Sequence, residues 1–385
     1  MTSLTVMLVA AEASGDDRGA GLMQALRRRF GDKVRFVGVG GARMAAEGLE
    51  SPFDISELSV LGLLEGLMAY PKVVRRADET AALAARERPD VAVLIDSWGF
   101  TLRVAHRLRR HDPTLPLIKY VGPQVWASRP GRAKVLAAAV DHLLTIHKFD
   151  APMFEAAGLP TTFVGNSALS LDFSRADLSV GQERGGPTLL VLPGSRPSEI
   201  KNVLPAFEDA VRLLKAKRPD LRVLIPAAPT VAEQVKTHVA GWPFDAEVLE
   251  GESAKLGAMK TATVALACSG TVTTELALAG CPMVVGYRLG RVTHAILKRL
   301  IRTPWITLFN IAAQDFVAPE FVQDDCNGPA LAAAVEARLD DPQLRETQVA
   351  RQFAALDRMG RGGPDPSEAA AEAVLRVLSP RRAPA

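Results

Sequence analysis

The sequence predicts an α/β protein with two successive doubly wound parallel sheets, and two observations support this fold class. Short, continuously apolar runs alternate with amphipathic helical stretches, which is typical of parallel strands covered by helices on both faces. The 385 residues also exceed the length that one hydrophobic core usually supports. Ligands of such sheets bind beyond the carboxyl ends of the strands, so function is expected in the turns that follow the strands.

In the first half of the chain the alternation begins at once. The apolar run 4–10 precedes a polar turn and a helix with Leu22, Ala25 and Leu26 on one face. The polar, glycine-containing stretch 169–187 interrupts the pattern and is interpreted as a linker after a first domain at 1–168. Further strands of this domain are predicted at 34–39, 91–95, 117–120, 142–146 and 162–164.

The pattern then restarts in a second domain, predicted to span 188–345. The alanine-rich helices at 346–378 are expected to fold back over the first domain, and the tail 379–385 is expected to be disordered. Strands of the second domain are predicted at 188–192, 222–225, 246–249 and 264–267.

A candidate anion site lies in the second domain, at 264–287. An apolar strand is followed by the small-residue turn 268–271 and a helix that Gly280 is placed to end. The turn would direct the free N–H groups and the positive dipole end of the helix at a bound phosphate, with Glu275 placed to bond sugar hydroxyls. The alternative is an ordinary βαβ connection whose small residues serve tight packing.

Two further segments of the second domain carry residues suited to ligand binding. Arg196 lies in a turn directly after a predicted strand, where its guanidinium would hold a phosphate, although a plain surface arginine is the alternative. Asn310 is predicted to precede a helix on which Glu320 and Gln323, three residues apart, share one face.

In the first domain, polar side chains follow the first and third strands. Glu12 and Ser14 follow the first strand, and Asp96 follows the third, where a carboxylate suits the acceptance of a hydroxyl proton. Helix capping by Ser14 or Asp16, and a turn-forming role for Asp96, are the alternatives. Trp126, after the fourth strand, is either a packing residue or a platform for a sugar face.

Composition narrows the classes of protein. The net charge of +3 is small, and the basic clusters are interpreted as solvated helix faces, so no nucleic-acid partner is expected. The three cysteines have no metal-type spacing and are interpreted as buried reduced thiols. With no basic leader and no stretch of membrane-spanning length, a cytoplasmic protein is expected, and peripheral membrane association stays open.

One apolar segment is a candidate contact for lipid. The stretch 58–68 is nearly all apolar and is interpreted as a surface for acyl chains and the membrane, helped by Arg75 and Arg76; a core helix is the alternative. Its contact residues would be Leu58, Val60, Leu61, Leu63, Leu64, Leu67 and Met68.

Seven sequence blocks follow one another along nearly the whole chain. They are AEASGD at 11–16, FVGVGGARMAAEG at 36–48, ELSVLGLLEGL at 57–67, PDVAVLIDS at 89–97, YVGPQVWASRPGR at 120–132, LPGSRPSEI at 192–200 and ACSGTVTTELALAGCPMVVGYR at 267–288. In this order, together, they resemble the lipid-A-disaccharide synthases, inverting glycosyltransferases of bacterial outer-membrane lipid biosynthesis.

The resemblance implies a GT-B fold, in which two Rossmann-like domains face a central cleft. It implies transfer of 2,3-diacylglucosamine from a UDP-linked donor to 2,3-diacylglucosamine 1-phosphate, giving the β-1,6-linked disaccharide 1-phosphate and UDP. No metal or other cofactor is expected. The protein would act at the cytoplasmic face of the inner membrane as a peripheral protein, and a homodimer stays open.

The resemblance also implies roles for particular residues. Asp96 would be the base for the acceptor hydroxyl, with Glu12 and Ser14 nearby. The nucleotide-sugar side would be formed by Arg196, Ser269, Gly270, Thr271, Glu275 and Asn310.

The chain departs from the family pattern at three places. Trp98 and Gly99 stand where a proline and an acid commonly follow the aspartate, Asn166 stands where a histidine is usual, and Gln314 and Asp315 replace a Gly-Arg pair. Two other functions are alternatives: a non-catalytic UDP-sugar-binding module, and another UDP-sugar enzyme such as an epimerase. Retention of an acceptor-side acid disfavours the first, and the apolar segment disfavours the second.

Overall fold

The computed structural model describes residues 4–58, 63–182, 186–290 and 303–382, with side chains for all of these except 63–69, 181, 182 and 380–382. The chain folds as two compact units. The first comprises Met1–Asn166 together with Gly363–Ala385, and the second comprises Ser167–Gly362.

The first unit is built on a six-stranded, fully parallel sheet with the strand order β2-β1-β3-β4-β5-β6. Because each strand is followed by a chain segment that returns across a face of the sheet, all the strands end at the same edge. The strands are β1 Leu4–Ala10, β2 Val34–Val39, β3 Val91–Ile95, β4 Leu117–Tyr120, β5 His142–Thr145 and β6 Thr161–Phe163.

Both faces of this sheet are buried, as the continuous apolar runs predict. Along β1, Val6 and Leu8 pack into one cluster and Met7 and Val9 into another on the opposite face. The helices of this unit are α1 Ala13–Phe30, α2 Ala42–Ala46, α3 Leu63–Glu87, α4 Trp98–His111, α5 Arg132–Ala137 and α6 Ala151–Glu155.

The second unit repeats the architecture with the strand order β12-β11-β10-β7-β8-β9, again parallel throughout. The predicted fold class, two doubly wound parallel sheets, is therefore confirmed. The strands are β7 Thr188–Leu192, β8 Arg222–Pro226, β9 Glu247–Leu249, β10 Val264–Cys268, β11 Met283–Tyr287 and β12 Glu320–Val322. The helices are α7 Ser179–Gln182, α8 Pro197–Lys217, α9 Ala232–Val239, α10 Glu252–Thr261, α11 Thr271–Ala279, α12 Leu308–Ala313, α13 Gly328–Asp340 and α14 Pro342–Met359.

The C-terminal segment is divided between the units, which differs from the expectation that all of 346–378 returns to the first domain. Helix α14 belongs to the second unit, and only the last helix, α15 Pro366–Arg382, belongs to the first. The segment predicted as a disordered tail is helical as far as Arg382. Helix α15 packs on α1 through buried Val374, and Glu368 pairs with Arg28 and Arg29.

Two other segments differ from their predicted structure. The predicted linker 169–187 lies within the second unit, where Ser179–Gln182 form α7. Glu320 begins strand β12, and Gln323 follows it in a 3₁₀ turn, so the helix predicted to carry both is wrong. The aromatic Phe321 and the β-branched Val322 favour the edge strand that pairs with β11.

Candidate active site

The turns after β1 and β3 meet at the carboxyl edge of the first sheet, because these strands are neighbours. The Ser14 hydroxyl donates to Asp96 Oδ2 at 3.1 Å, and Arg18 Nη1 lies 3.4 Å from the same oxygen. These two partners orient the Asp96 carboxylate. Because its side chain is 32% exposed, it is also accessible to a ligand. Two of the three predicted acceptor-side residues, Ser14 and Asp96, are therefore in contact.

The backbone at Asp96 is strained. Asp96 and Ser97 have φ angles of 51° and 37°, a left-handed conformation that non-glycine residues rarely adopt. Several hydrogen bonds hold it: the Ser97 N–H donates to Asp96 Oδ1 at 3.0 Å, and Thr101 Oγ1 lies 2.9 Å from the Asp96 and Ser97 carbonyl oxygens. Backbone strain that the surrounding structure maintains is concentrated at functional sites. The turn at Asp96 is therefore a candidate functional site.

A buried lysine lies beneath this turn. Lys119, on β4, is only 2% exposed; its amine donates to the Asp96 carbonyl oxygen and, at 2.7 Å, to Thr101 Oγ1. Burial lowers the pKa of Lys119 to about 7, against the opposing effect of the Asp96 and Glu12 carboxylates. Lys119, Thr101 and Arg18 were not predicted from the sequence, although a lysine inside the apolar strand LIKY was a usable signal.

Glu12 and Asp16 follow β1 but serve different purposes. Desolvation and the neighbouring Asp96 carboxylate raise the pKa of Glu12. The two carboxyl groups are therefore close enough for their charges to repel. Asp16 is buried and accepts the N–H groups of Gly41 and Met44 with Oδ1 and that of Arg43 with Oδ2, so it caps α2. Helix capping was the alternative for Ser14 and Asp16. Asp16 does cap a helix, α2, whereas the Ser14 hydroxyl bonds Asp96.

A second polar cluster follows β4, β5 and β6. Trp126 Nε1 donates to Asp150 Oδ1 at 2.7 Å, and Asp150 Oδ2 lies 3.3 Å from Nδ1 of the buried His147. The other ring nitrogen of His147 lies 3.3 Å from Asn166 Nδ2. Asn166 is one of the departures from the family pattern. It contacts His147, which contacts Asp150, and Asp150 accepts the hydrogen bond of Trp126.

In the second unit, the turn after β10 leads directly into α11. Gly270 and Thr271 are exposed at the start of the helix, and the space around Gly270 is open. The first-turn N–H groups of this helix carry its positive dipole end, so the turn can accept an anion. At the other end Gly280 has a φ of 73°, and the N–H groups of Gly280 and Cys281 bond the last turn, which confirms the predicted helix end.

Arg196 lies at the same edge of the second sheet, because β7 and β10 are neighbours. Its side chain is 69% exposed, and Nη1 lies 3.1 Å from Glu199 Oε1. Glu199 also accepts the N–H groups of Ser195 and Arg196, so it fixes the turn. A Cβ at Gly194 would lie 2.6 Å from Glu199, which explains the glycine there.

Glu275 and Ser269 are tied to neighbouring segments. Glu275 pairs with Lys255 at 3.1 Å. Burial lowers the pKa of Lys255, but hydrogen bonding to Glu252 and the charge of Glu275 outweigh burial and leave it raised. The Ser269 hydroxyl donates to the carbonyl oxygen of Ile306 at 3.3 Å, which joins the turn to the segment before α12.

The Asn310 side chain is surrounded by hydrogen-bond partners from its own segment. It is fully buried on α12; its amide donates to the Ala318 carbonyl and to Glu320, and its oxygen accepts the N–H groups of Val317 and Ala318. Glu320 in turn accepts the N–H and hydroxyl of Thr307. Asn310, predicted on the nucleotide-sugar side, thus bonds within the segment that Ser269 contacts.

The lipid-contact residues fall partly outside the described residues. Leu58 is 8% exposed and packs in the core of the first unit, as the alternative of a core segment would require for this residue. Val60 and Leu61 lie outside the described residues, and Leu63, Leu64, Leu67 and Met68 lie on α3 without described side chains. Arg76 pairs with Glu57 and Glu79. Among the described helices, none is long and apolar enough to cross a membrane.

Comparison with known proteins identifies the family. The family model described as lipid-A-disaccharide synthetase matches residues 6–374. The lipid-A-disaccharide synthase of Rhodospirillum centenum is 42% identical over 99% of this chain and 96% of its own, and that of Nitrobacter hamburgensis is 43% identical over 100% and 98%.

Solved structures share the fold at low sequence identity. An S. aureus MnaA–UDP co-structure has a TM-score of 0.64 at 14% identity and covers 98% of this chain and 97% of its own. The glycotransferase of kitacinnamycin has a TM-score of 0.60 at 18% identity, with 98% and 99% covered. These likenesses support the GT-B fold, and the near-complete matches in sequence decide the family. The chain belongs to the lipid-A-disaccharide synthetase family.

Proposed function

We propose that this glycosyltransferase moves 2,3-diacylglucosamine from its UDP-linked form to 2,3-diacylglucosamine 1-phosphate. Membership of the family supports an enzyme that forms lipid A disaccharide and disfavours the epimerase and the non-catalytic module. The single structural observation that carries the proposal is the Asp96 carboxylate, oriented by Ser14 and Arg18 on a strained turn at a sheet edge.

The reaction we propose is one in-line displacement. The acceptor hydroxyl oxygen attacks the anomeric carbon of the donor while Asp96 takes its proton, and the bond from that carbon to the UDP oxygen breaks. Inversion follows from the single displacement and yields the β-1,6 linkage. Ser14 and Arg18 fix the direction of the accepting oxygen, which is the geometric requirement for a general base.

The second unit would bind the donor and stabilise its leaving group. The exposed Arg196 and the N–H groups of Gly270 and Thr271 offer charge and hydrogen bonds to the diphosphate, on which negative charge grows as the bond breaks. Glu275, one turn further along α11, would bond a sugar hydroxyl. Ser269 and Asn310 act indirectly by holding the segment from Ile306 to Glu320.

We also propose peripheral contact with the cytoplasmic face of the inner membrane through the start of α3. Tyr70, 52% exposed, and the exposed Lys72 and Arg75 follow its apolar first turns, a pattern suited to an anionic lipid surface. Vesicle sedimentation tests this contact: serine at Leu64 and Leu67 should weaken it, and unchanged binding would contradict it. A homodimer stays a prediction from the family resemblance.

The direct test of the activity is incubation of the purified protein with the UDP-linked donor and the 1-phosphate acceptor. Mass spectrometry should detect the disaccharide 1-phosphate, and UDP should form in equal amount. Omission of the acceptor is the control, since UDP release without it would indicate hydrolysis. Absence of disaccharide with both substrates present would overturn the proposed function.

A further inference from the structure

Arg132 contacts the residue that follows the strained turn, and Arg129 precedes Arg132 by three residues; the reaction described above uses neither. Trp98 begins α4 directly after Asp96 and Ser97, and Arg132 begins α5 in the segment after the neighbouring strand β4. The Arg132 guanidinium carbon lies over the Trp98 ring, 5.1 Å from its centroid. This is the distance of a cation–π contact, which holds the guanidinium in place without satisfying its hydrogen-bond donors.

The positive charges of Arg132 and of the nearby Arg129 are not balanced by carboxylates in the part of the chain that the structure describes. Among the described residues, neither Arg129 nor Arg132 forms an ion pair with a carboxylate, whereas Arg18, Arg107 and Arg109 of the same unit each do. Burial and the neighbouring Arg129 charge lower the pKa of Arg132, so the free protein carries an unfavourable pair of like charges here. An anion bound between the two would remove that cost.

The backbone at Arg129 forms a defined turn. Its φ of 51° is in the left-handed region, and two turn hydrogen bonds follow it: the Arg132 N–H donates to the Arg129 carbonyl, and the Ala133 N–H to that of Pro130. A non-glycine residue kept in that conformation marks a turn that the surrounding structure maintains. The turn sets both arginines on one short segment.

We propose that Arg129 and Arg132, with Trp98 supporting the Arg132 guanidinium, bind the phosphomonoester of the acceptor sugar. This inference rests on the proposed function, which gives the acceptor a 1-phosphate. Two guanidinium groups match a phosphate dianion in charge and offer paired N–H donors to its oxygens. Trp98 follows Asp96 by two residues, so their Cα atoms are at most about 7 Å apart, and the bound phosphate would position the sugar beside the base.

The test compares acceptors with and without the 1-phosphate. In detergent micelles, the wild-type protein should prefer the phosphorylated acceptor in kcat/KM by at least about tenfold, the effect expected of one charge-assisted contact. Arg129→Gln and Arg132→Gln should lose most of that preference and leave the KM for the donor unchanged. Arg110→Gln is the matched control, since Arg110 is exposed at the far end of α4.

Arg132→Lys keeps the charge without the planar fork and should retain an intermediate preference, which separates recognition from a folding defect. Full preference in both glutamine variants would overturn the proposal. So would variants that keep the preference and only lose binding to phosphatidylglycerol vesicles, because the arginines would then bind a lipid headgroup. If the wild-type protein makes no disaccharide, the proposed function fails, and direct titration of the two acceptors still decides whether this site distinguishes them.

Discussion

At the scale of single residues, the side chains around Asp96 divide into those that contact its carboxylate and those that hold its backbone. Ser14 and Arg18 contact the carboxylate itself, whereas Lys119 and Thr101 bond the backbone that carries it. A buried amine whose proton is weakly held can bond a carbonyl oxygen without adding a full charge beneath Asp96. We therefore assign Lys119 a positioning role.

The folded-state pKa of Lys119, about 7, lies below the ordinary lysine value of about 10.4. Between these values the unfolded chain holds a proton that the folded protein lacks, so raising the pH stabilises the fold by up to about 1.4 kcal/mol per unit. Denaturant unfolding of wild type and Lys119→Met at pH 7, 8 and 9 measures this. The wild type should gain stability relative to the variant as pH rises, and parallel pH profiles would contradict the buried, weakly protonated lysine.

At the scale of elements, the two residues proposed for the donor side at α8 and α12 have different surroundings. Arg196 directly precedes α8 and has an exposed side chain, whereas Asn310 is buried within α12 and its side chain bonds residues of the following segment. One residue can contact a ligand directly and the other only through the segment it supports. Substitutions at the two positions should therefore have different signatures.

Arg196→Ala should weaken UDP binding by about tenfold or more, because a charge-assisted phosphate contact is lost. The free energy of unfolding should change by less than about 0.5 kcal/mol, as expected for an exposed side chain. Calorimetric titration with UDP measures the first quantity. Arg212→Ala, a similarly exposed arginine on the same helix, is the control, and an equal loss in both variants would refute the phosphate contact.

Asn310→Ala should instead destabilise the second unit by at least about 2 kcal/mol. The change leaves the N–H groups of Val317 and Ala318 and the Glu320 carboxylate without their buried partner. Chemical denaturation followed by the fluorescence of Trp305, in the adjoining segment, reports on this unit. Wild-type stability combined with lost UDP affinity would mean that Asn310 acts as a ligand contact after all.

The sequence predicts local elements well and long-range partners poorly, for physical reasons. The end of α11 at Gly280 follows from residue chemistry within one turn. The bond between Asn310 and Glu320 depends on where β12 pairs, and three residues are too few for a strand signal against the helical spacing of Glu320 and Gln323. Lys119 shows the same limit, since only the pairing of β3 with β4 brings it under Asp96.

At the scale of the whole molecule, the chain closes its first unit with its last helix. Residues far apart in sequence share one core there, since Leu22 and Leu26 of α1 belong to the same cluster as Val374 of α15. The composition of α15, alanine-rich with few large apolar residues, predicts a helix but not which sheet it covers. Its contacts with α1 decide the partner.

Val374→Ala should destabilise the first unit by about 2 kcal/mol, because two buried carbon atoms and their contacts are lost. Val377→Ala on the same helix is the matched control, since Val377 is only partly buried, and its effect should be smaller. Fluorescence of Trp98 and Trp126 follows unfolding of this unit. Equal effects of the two substitutions would contradict the packing of α15 described above.

The most direct measurement of the central claim is single-turnover transfer by Asp96→Asn beside its UDP affinity. If Asp96 takes the acceptor proton, the rate should fall at least about 100-fold, the usual contribution of a positioned general base, while UDP binds as in the wild type. Asp17→Asn, an exposed aspartate of the same unit, is the control and should transfer at the wild-type rate. Wild-type turnover in Asp96→Asn would show that another group accepts the proton.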